Sequence, residues 1–315
     1  MERFVVCGEA LIDLIATDFG NDTLKSTWAA LSAGGPMNTA IALARQGETV
    51  QFLGRLGGDS FGGQIKSHLE ANKLGLDLLV EAHKDATSLA IVSLDDQGKA
   101  SYTFHFDGTA NFGWQDTELP DLTQDDWLHI GSLPTVIEPG SRALLRWAKG
   151  TPAALSYDVN VRPTVMPDRR EYWRKVEPWL KAVGNSGGIL KASDEDIDYI
   201  SEAGGYEGNA LEVAVEWARA YDPALVVVTL GADGVAAIKR DGRKVQVPGF
   251  KIDLVDTVGA GDTFMAGFLS AYTKNPEDLK TALTRGAASA AIVCSRQGAN
   301  PPTTEELEQF LADNA

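Results

Sequence analysis

Hydrophobic residues fall along this chain in short, dense runs of strand length, separated by stretches of helical period. Phe4–Cys7, Val50–Leu53, Trp127–Ile130, Ala153–Tyr157, Gly188–Lys191 and Leu225–Leu230 are such runs. Several lack polar alternation, the pattern of strands covered on both faces. Between them, Pro36–Arg45, Phe61–Lys73, Arg169–Ala182 and Leu211–Tyr221 carry apolar residues at helical spacing. The alternation predicts an α/β fold, a parallel sheet with helices on both faces. Residues 87–106 break the rhythm. Tyr102, Phe104 and Phe106 alternate with Thr103 and His105 after a turn signal at Asp95-Asp96-Gln97-Gly98, which is hairpin grammar. Together with residues near 12–32 this segment is expected to form a small β layer off the main sheet. A second hairpin is expected over Val235–Val247 about Asp241-Gly242, and Thr303 and Glu306 have the spacing of a capping box opening the last helix.

Charge narrows the partners. The chain has 28 Lys+Arg against 44 Asp+Glu over 315 residues, a net charge of −16, which repels phosphate backbones and anionic lipid and excludes nucleic acid or a membrane surface as the main partner. Hydrophobic residues at 44% and charged residues at 23% are the mix of a globular chain. The start, Met-Glu-Arg-Phe-Val-Val-Cys, is not that of a signal peptide, and no run reaches the roughly 20 apolar residues that span a bilayer. Cys7 and Cys294 both lie in apolar segments and make no disulfide framework. A cytoplasmic protein is expected. The histidines at 68, 83, 105 and 129 show no ligand spacing, and neither a P-loop nor a Gly-x-Ser-x-Gly elbow is present. Trp173, Trp179 and Trp217 fall in helical patterns, so core or interface packing is expected of them rather than carbohydrate stacking.

The segment richest in chemistry is Asp256-Thr257-Val258-Gly259-Ala260-Gly261-Asp262-Thr263-Phe264, followed by the amphipathic run Met265–Tyr272. Two glycines flanking a small residue let the backbone pass close to a ligand, and the following helix points its free N–H groups at the same spot. Asp262 lies in the first helical turn beside this anion hole, where a carboxylate can take the proton of a hydroxyl attacking a bound phosphoryl group. A tight turn with a helix-capping Asp is the plain structural alternative.

The nine-residue string resembles the C-terminal motif of the ribokinase-like (PfkB) carbohydrate kinases. A second motif of that family, a glycine doublet leading into an Asn-containing helix, is matched by Ala33-Gly34-Gly35-Pro36-Met37-Asn38-Thr39-Ala40, and the likeness continues through Phe52-Leu53-Gly54-Arg55-Leu56-Gly57 to Asp59, Phe61 and Gly62. The family's doublet usually sits one residue further from the Asn, which puts Ala33 at its first glycine. Gly8-Glu9-Ala10-Leu11-Ile12-Asp13 is similar to the fructokinases' Gly-Glu-x-x-x-Asp, Phe106-Asp107-Gly108-Thr109-Ala110-Asn111 looks like their lid stretch with Asn for the commoner Asp, and Asp158-Val159-Asn160-Val161-Arg162 resembles the Asp-x-Asn-x-Arg of fructokinases and ketodeoxygluconate kinases. A surface Arg162 paired with Asp168 is the bland alternative for that position.

The resemblance implies a ribokinase-like three-layer αβα sandwich over 1–315, with a mainly parallel central sheet and a β lid from about 12–32 and 86–112. It implies an ATP-dependent sugar kinase with Asp262 as base and the amides of Gly259, Ala260 and Gly261 holding the phosphoryl group. Asp13, Gly34, Gly35, Asn38, Phe106, Asp158, Asn160 and Arg162 are expected at the sugar. Lys191, Ser193, Thr229, Gly231 and Gly234, with Gly259 and Gly261, are expected at the nucleotide. Asp196 would hold Mg2+ through water, and Asp256, Thr257, Val293 and Gly298 a monovalent cation such as K+. Fructose leads among acceptors, with 2-keto-3-deoxygluconate, ribose or a nucleoside as alternatives and a non-catalytic sugar sensor as the reading from another class. A homodimer joined through the β lid is implied as well.

Overall fold

A computed structural model describes residues 3–18, 24–94 and 100–314. The expected turn at Asp95-Asp96-Gln97-Gly98 lies outside them. β1 (Arg3–Cys7) leads through β2 (Leu11–Asp18) and β3 (Thr27–Ala33) into α1 (Gly35–Arg45). Then come β4 (Val50–Leu53), β5 (Arg55–Gly57), α2 (Ser60–Ala71), β6 (Val80–Ala82), β7 (Leu89–Leu94) and β8 (Ala100–His105). The middle of the chain forms β9 (Asp126–Gly131), α3 (Gly140–Gly150), β10 (Ala154–Asp158), α4 (Arg169–Ser186), β11 (Ile189–Ser193), α5 (Asp194–Ile200), α6 (Ala210–Tyr221) and β12 (Leu225–Thr229). β13 (Val235–Lys239), β14 (Lys244–Val247), α7 (Ala260–Tyr272), α8 (Leu279–Cys294) and α9 (Thr304–Asp313) complete it.

The main sheet has the order β14-β13-β12-β11-β10-β9-β1-β4. Its six strands β4, β1, β9, β10, β11 and β12 run parallel, and the hairpin β13–β14 adds an antiparallel edge. Both faces are apolar because both are covered. On β1, Phe4 and Val6 enter the layer of α1, α7 and α8, while Val5 and Cys7 enter that of α3, α4, α5 and α6. Trp179 and Trp217 fill the second layer and are fully buried, with Trp173 beside Trp217. The architecture is a three-layer αβα sandwich. One expectation needs correcting: α7 is not amphipathic, since every residue from Asp262 to Ser270 is buried. It lies between α1 and α8 on the sheet, and a helix packed on all sides has no polar face to show. No helix among the described residues is long and apolar enough to cross a membrane.

A second sheet, β3-β2-β7-β8, stands beside the first. β2 pairs antiparallel with β3 and parallel with β7, and β7 pairs antiparallel with β8. One face, with Ile12, Leu14, Ala30 and Leu89, packs into the core near α2. Leu31, Asp13, Ala90 and Phe104 are cross-strand partners on the other face, where Leu11, Phe104 and Phe106 meet Phe112 and Leu133. The roots of this lid are clipped to the sandwich. The Ala10 N–H donates to Asn111 Oδ1 (3.1 Å), and Asn111 Nδ2 donates to Ala10 O (2.9 Å) and Ser88 Oγ (2.9 Å). Asp59 caps α2 through Gly62 N–H and also accepts from Thr87 N–H and Oγ1. Buried Arg55 donates to Ala110 O and pairs with Asp85 and Glu118.

Candidate active site

Strand order reverses at β1, which has β4 on one side and β9 on the other, and open α/β sheets bind ligands at the carboxyl ends of strands about such a point. Here those ends deliver Glu9 after β1, Ser132 after β9, Asp158 and Asn160 at β10, and Lys191 on β11. Two helices bring their N-termini to the same place. α1 begins at Gly34, whose φ of 135° a side chain rarely adopts and whose missing Cβ leaves room for the Glu9 carbonyl. α7 begins at Gly259, with φ 76°.

Asp262 sits in the first turn of α7, buried, with Asn38 Nδ2 of α1 donating to its Oδ2 at 2.9 Å. A Cβ on Gly35 would stand 3.1 Å from Asp262 Oδ1 and 3.1 Å from Asn160 Nδ2, so glycine is what lets α1 close against the carboxylate. Burial pushes Asp262 up to about 6; the Asn38 bond, Arg162 and Lys191 oppose the rise and Asp158 adds to it. The carboxylate opens on a narrow recess shared with Gly35, Thr39, Ser132, Asp158 and Asn160.

Beneath lies a buried ion pair, with Lys191 Nζ 2.9 and 3.0 Å from the two oxygens of Asp158. Burial disfavours the ammonium, but Asp158 and Asp196 hold the Lys191 pKa above its ordinary value. The same Nζ stands where a Cβ on Gly261 would fall, within 2.9 Å, which places a fixed positive charge beside the α7 N-terminus. Asp13 faces the site from β2, and burial raises its carboxyl to about 6 against the pull of Arg162. Arg162 is exposed and holds no carboxylate in an ion pair among the described residues, while its charge acts on Glu9, Asp13, Asp158 and Asp262. Asp168 instead caps α4 through the Arg170 and Glu171 N–H groups. Phe106 is buried in the lid's aromatic ladder, 4.9 Å from Phe104 and 5.1 Å from Phe112 between centroids.

The remaining expected residues sit further along the strand ends. Ser193 and Thr229 are register partners on β11 and β12. Gly231 and Gly234 bound a turn after β12, with φ 54° and 95°. Ser193 Oγ accepts from Asp196 N–H (3.0 Å), and Asp196 accepts from Ser193 N–H (2.8 Å) and Val161 N–H (2.7 Å). This capping box ties α5 to the loop after β10, and its Ser-x-x-Asp spacing is legible in the sequence. Each Asp196 oxygen still has a free lone pair, which fits water in a Mg2+ hydration shell better than direct ligation. Asp256 accepts from Val258 N–H (3.0 Å) and Gly298 N–H (2.9 Å), joining the two expected cation loops. The carbonyls of Thr257, Val293 and Gly298 each accept one backbone N–H.

Two polar residues of the site, His129 and Ser132, escaped the sequence reading, and of Asn111 it found the lid stretch but not the contact. His129 lines the recess, its Nδ1 2.9 Å from Ser156 Oγ, and burial with help from Lys191 lowers its pKa to about 3, so the ring is neutral. Ser132 lines it too. Asn111 holds the lid root. A lone His or Ser inside an apolar stretch carries no signal of its own, and Asn111 works on a backbone 101 residues away.

Known proteins agree with this geometry. The family model for pfkB family carbohydrate kinases matches residues 1–306. The fructokinase of Vibrio alginolyticus is 29% identical, covering 99% of each chain. That of Rhizobium leguminosarum bv. trifolii is 35% identical over 84% of this chain and 78% of its own. Among solved structures, fructokinase from Vibrio cholerae O395 with fructose, ADP and calcium ion bound superposes with a TM-score of 0.83 at 26% identity, covering 99% of each chain. With a buried carboxylate at a helix N-terminus, the two-sheet fold and a match over nearly the whole length, the chain belongs to the pfkB family of carbohydrate kinases.

Proposed function

We propose that this protein is a fructokinase, transferring the γ-phosphoryl group of ATP to a primary hydroxyl of fructose. The observation that carries the reading is Asp262: a buried carboxylate, pinned by Asn38, at the positive end of α7. Asp262 takes the hydroxyl proton as the sugar oxygen bonds to the γ-phosphorus and the bond to the β-phosphate oxygen breaks, leaving ADP. The N–H groups of Gly259 and Gly261 and the α7 dipole receive the transferring group's charge, with Lys191 beside them, whereas the Ala260 N–H, also expected there, donates to Thr257 O (3.2 Å). General base catalysis supplies about 10²–10⁴-fold, so positioning and charge stabilisation supply most of the acceleration. Asp13, Asn160 and Arg162 orient the sugar, and the lid excludes water that would hydrolyse ATP. Asp196 would hold Mg2+ through water, and that ion would neutralise phosphate charge when bound. A monovalent cation is assigned to the joined loops at Asp256 and Gly298. The fructokinase relatives support the acceptor.

The unit is a single domain working in the cytoplasm as a homodimer. The dimer is supported by the lid face that carries Asp13, which continues outward to Leu31 and Tyr102, 50% and 49% exposed. The test is ADP production from Mg-ATP with fructose, ribose, ketodeoxygluconate, glucose and adenosine, beside Asp262→Asn. Turnover on fructose that falls at least about 10²-fold in Asp262→Asn is expected. Near-normal turnover in that variant removes Asp262 as the base, and preference for another acceptor removes fructose.

A further inference from the structure

Two buried polar atoms next to the recess have no aligned hydrogen-bond partner. Glu9 is 2% exposed and its Oε2 makes no hydrogen bond; Ser132 is 1% exposed and its Oγ makes none either. Buried polar atoms are seldom left unsatisfied, and those that are call for a ligand or a function. Register brings the two together. Cys7 of β1 pairs with Ile130 of β9, and Glu9 and Ser132 each lie two residues beyond that pair. The Ser132 hydroxyl is near enough to draw the Glu9 carboxyl's pKa down, without an aligned hydrogen bond between them.

Both backbones are fixed. Glu9 O packs against Gly34, and the next residue, Ala10, is held at both its N–H and C=O by Asn111. Ser132 has φ 61°, a conformation that costs a serine, yet its N–H donates to Asp158 O (3.2 Å) and its C=O accepts from Thr135 Oγ1 (2.6 Å). A strained residue held this firmly, with its hydroxyl unused, beside the carboxylate that acts on the substrate, is an arrangement found at ligand clamps.

We propose that Ser132 is a specificity-determining contact, its Oγ hydrogen-bonded to one hydroxyl of the acceptor sugar other than the one phosphorylated, and that Glu9 is a positioning residue that orients the Ser132 hydroxyl. The proposal rests on the sugar-kinase reading above. Burial pushes Glu9 up to about 8, opposed by its own backbone N–H, Ser132 and Arg162 and reinforced by Asp262. At neutral pH it carries a proton, and with sugar bound a small rotation of the Ser132 hydroxyl lets Glu9 donate to Ser132 while Ser132 donates onward to the sugar. A site built around such a donor rejects an analogue lacking the hydroxyl, because the buried group is then left unpaired.

The test compares Ser132→Ala, Ser132→Gly, Glu9→Leu and Glu9→Gln with the wild type, using fructose and its monodeoxy analogues. Ser132→Gly takes φ 61° freely, so it removes Oγ without the backbone strain that the alanine variant keeps. Ser132→Gly is expected to raise KM for fructose about 10–100-fold with KM for ATP unchanged, and to match the wild type on the one deoxy sugar that lacks the contacted hydroxyl. Glu9→Leu should reproduce that pattern, Glu9→Gln should restore part of it by donating from its amide, and the double variant should be no worse than Ser132→Gly alone. Equal losses on every deoxy sugar, or multiplying effects in the double variant, overturn the proposal. Wild-type turnover of fructose checks the fructokinase reading separately; should another sugar of the panel be the acceptor, the same variants are assayed on its deoxy series.

Discussion

Opposed influences set the proton affinity of Asp262, the proposed base. Burial raises its pKa to about 6, while the Asn38 amide and the charges of Arg162 and Lys191 keep it from rising further. The sign of the pH dependence follows: a base must be unprotonated, so kcat/KM should rise about tenfold per pH unit below 6 and level off above it, until Glu9 loses its proton at about 8. Asp13 titrates in the same range, also at about 6. The pH–rate profile of Asp13→Asn separates the two. If Asp262 is the base, the acid limb stays in place while KM for the sugar rises. An acid limb that vanishes in Asp13→Asn would assign the titration to Asp13.

At the scale of elements, the lid depends on a few polar clips. Asn111 both donates to and accepts from Ala10, which aspartate cannot do. Asn111→Asp and Asn111→Ala should each cost about 1–3 kcal/mol of stability in urea unfolding, because Ala10 O and Ser88 Oγ lose a buried donor. Both should also raise KM for the sugar, since Asp13 stands three residues along the released strand. An unchanged urea midpoint would show the clip to be dispensable. This is also where the sequence stops being legible. Strands such as Val50–Leu53 and Leu225–Thr229 are readable because each apolar run is local. So is the α7 motif, whose glycines and Asp262 lie within four residues. The Asn111 clip, the Asp158–Lys191 pair and the Glu9–Ser132 pair join residues far apart in the chain, and no local pattern marks the pairing. α8 is also faint, because its Ala-rich run is buried against α7 and shows little polar contrast.

For the whole molecule, the lid leaves an apolar face at the edge of a chain that carries a net charge of −16. Two such chains repel at long range, so the proposed dimer would be held by the apolar patch around Leu31 and Tyr102. Sedimentation should show a dimer that tightens as salt screens the repulsion, and Leu31→Asp should shift the equilibrium to monomer by at least about tenfold in Kd. A monomer under all conditions would remove the dimer. The hydrogen bond between Asn38 and Asp262 links residues 224 positions apart. During synthesis at about 5–20 residues per second, Asn38 therefore leaves the ribosome about 10–45 s before the carboxylate that it holds. With Asp262 as the proposed base, a chain that stops short of α7 would hold the Asn38 side of the site without the group that starts phosphoryl transfer, so activity would begin only once α7 has been made.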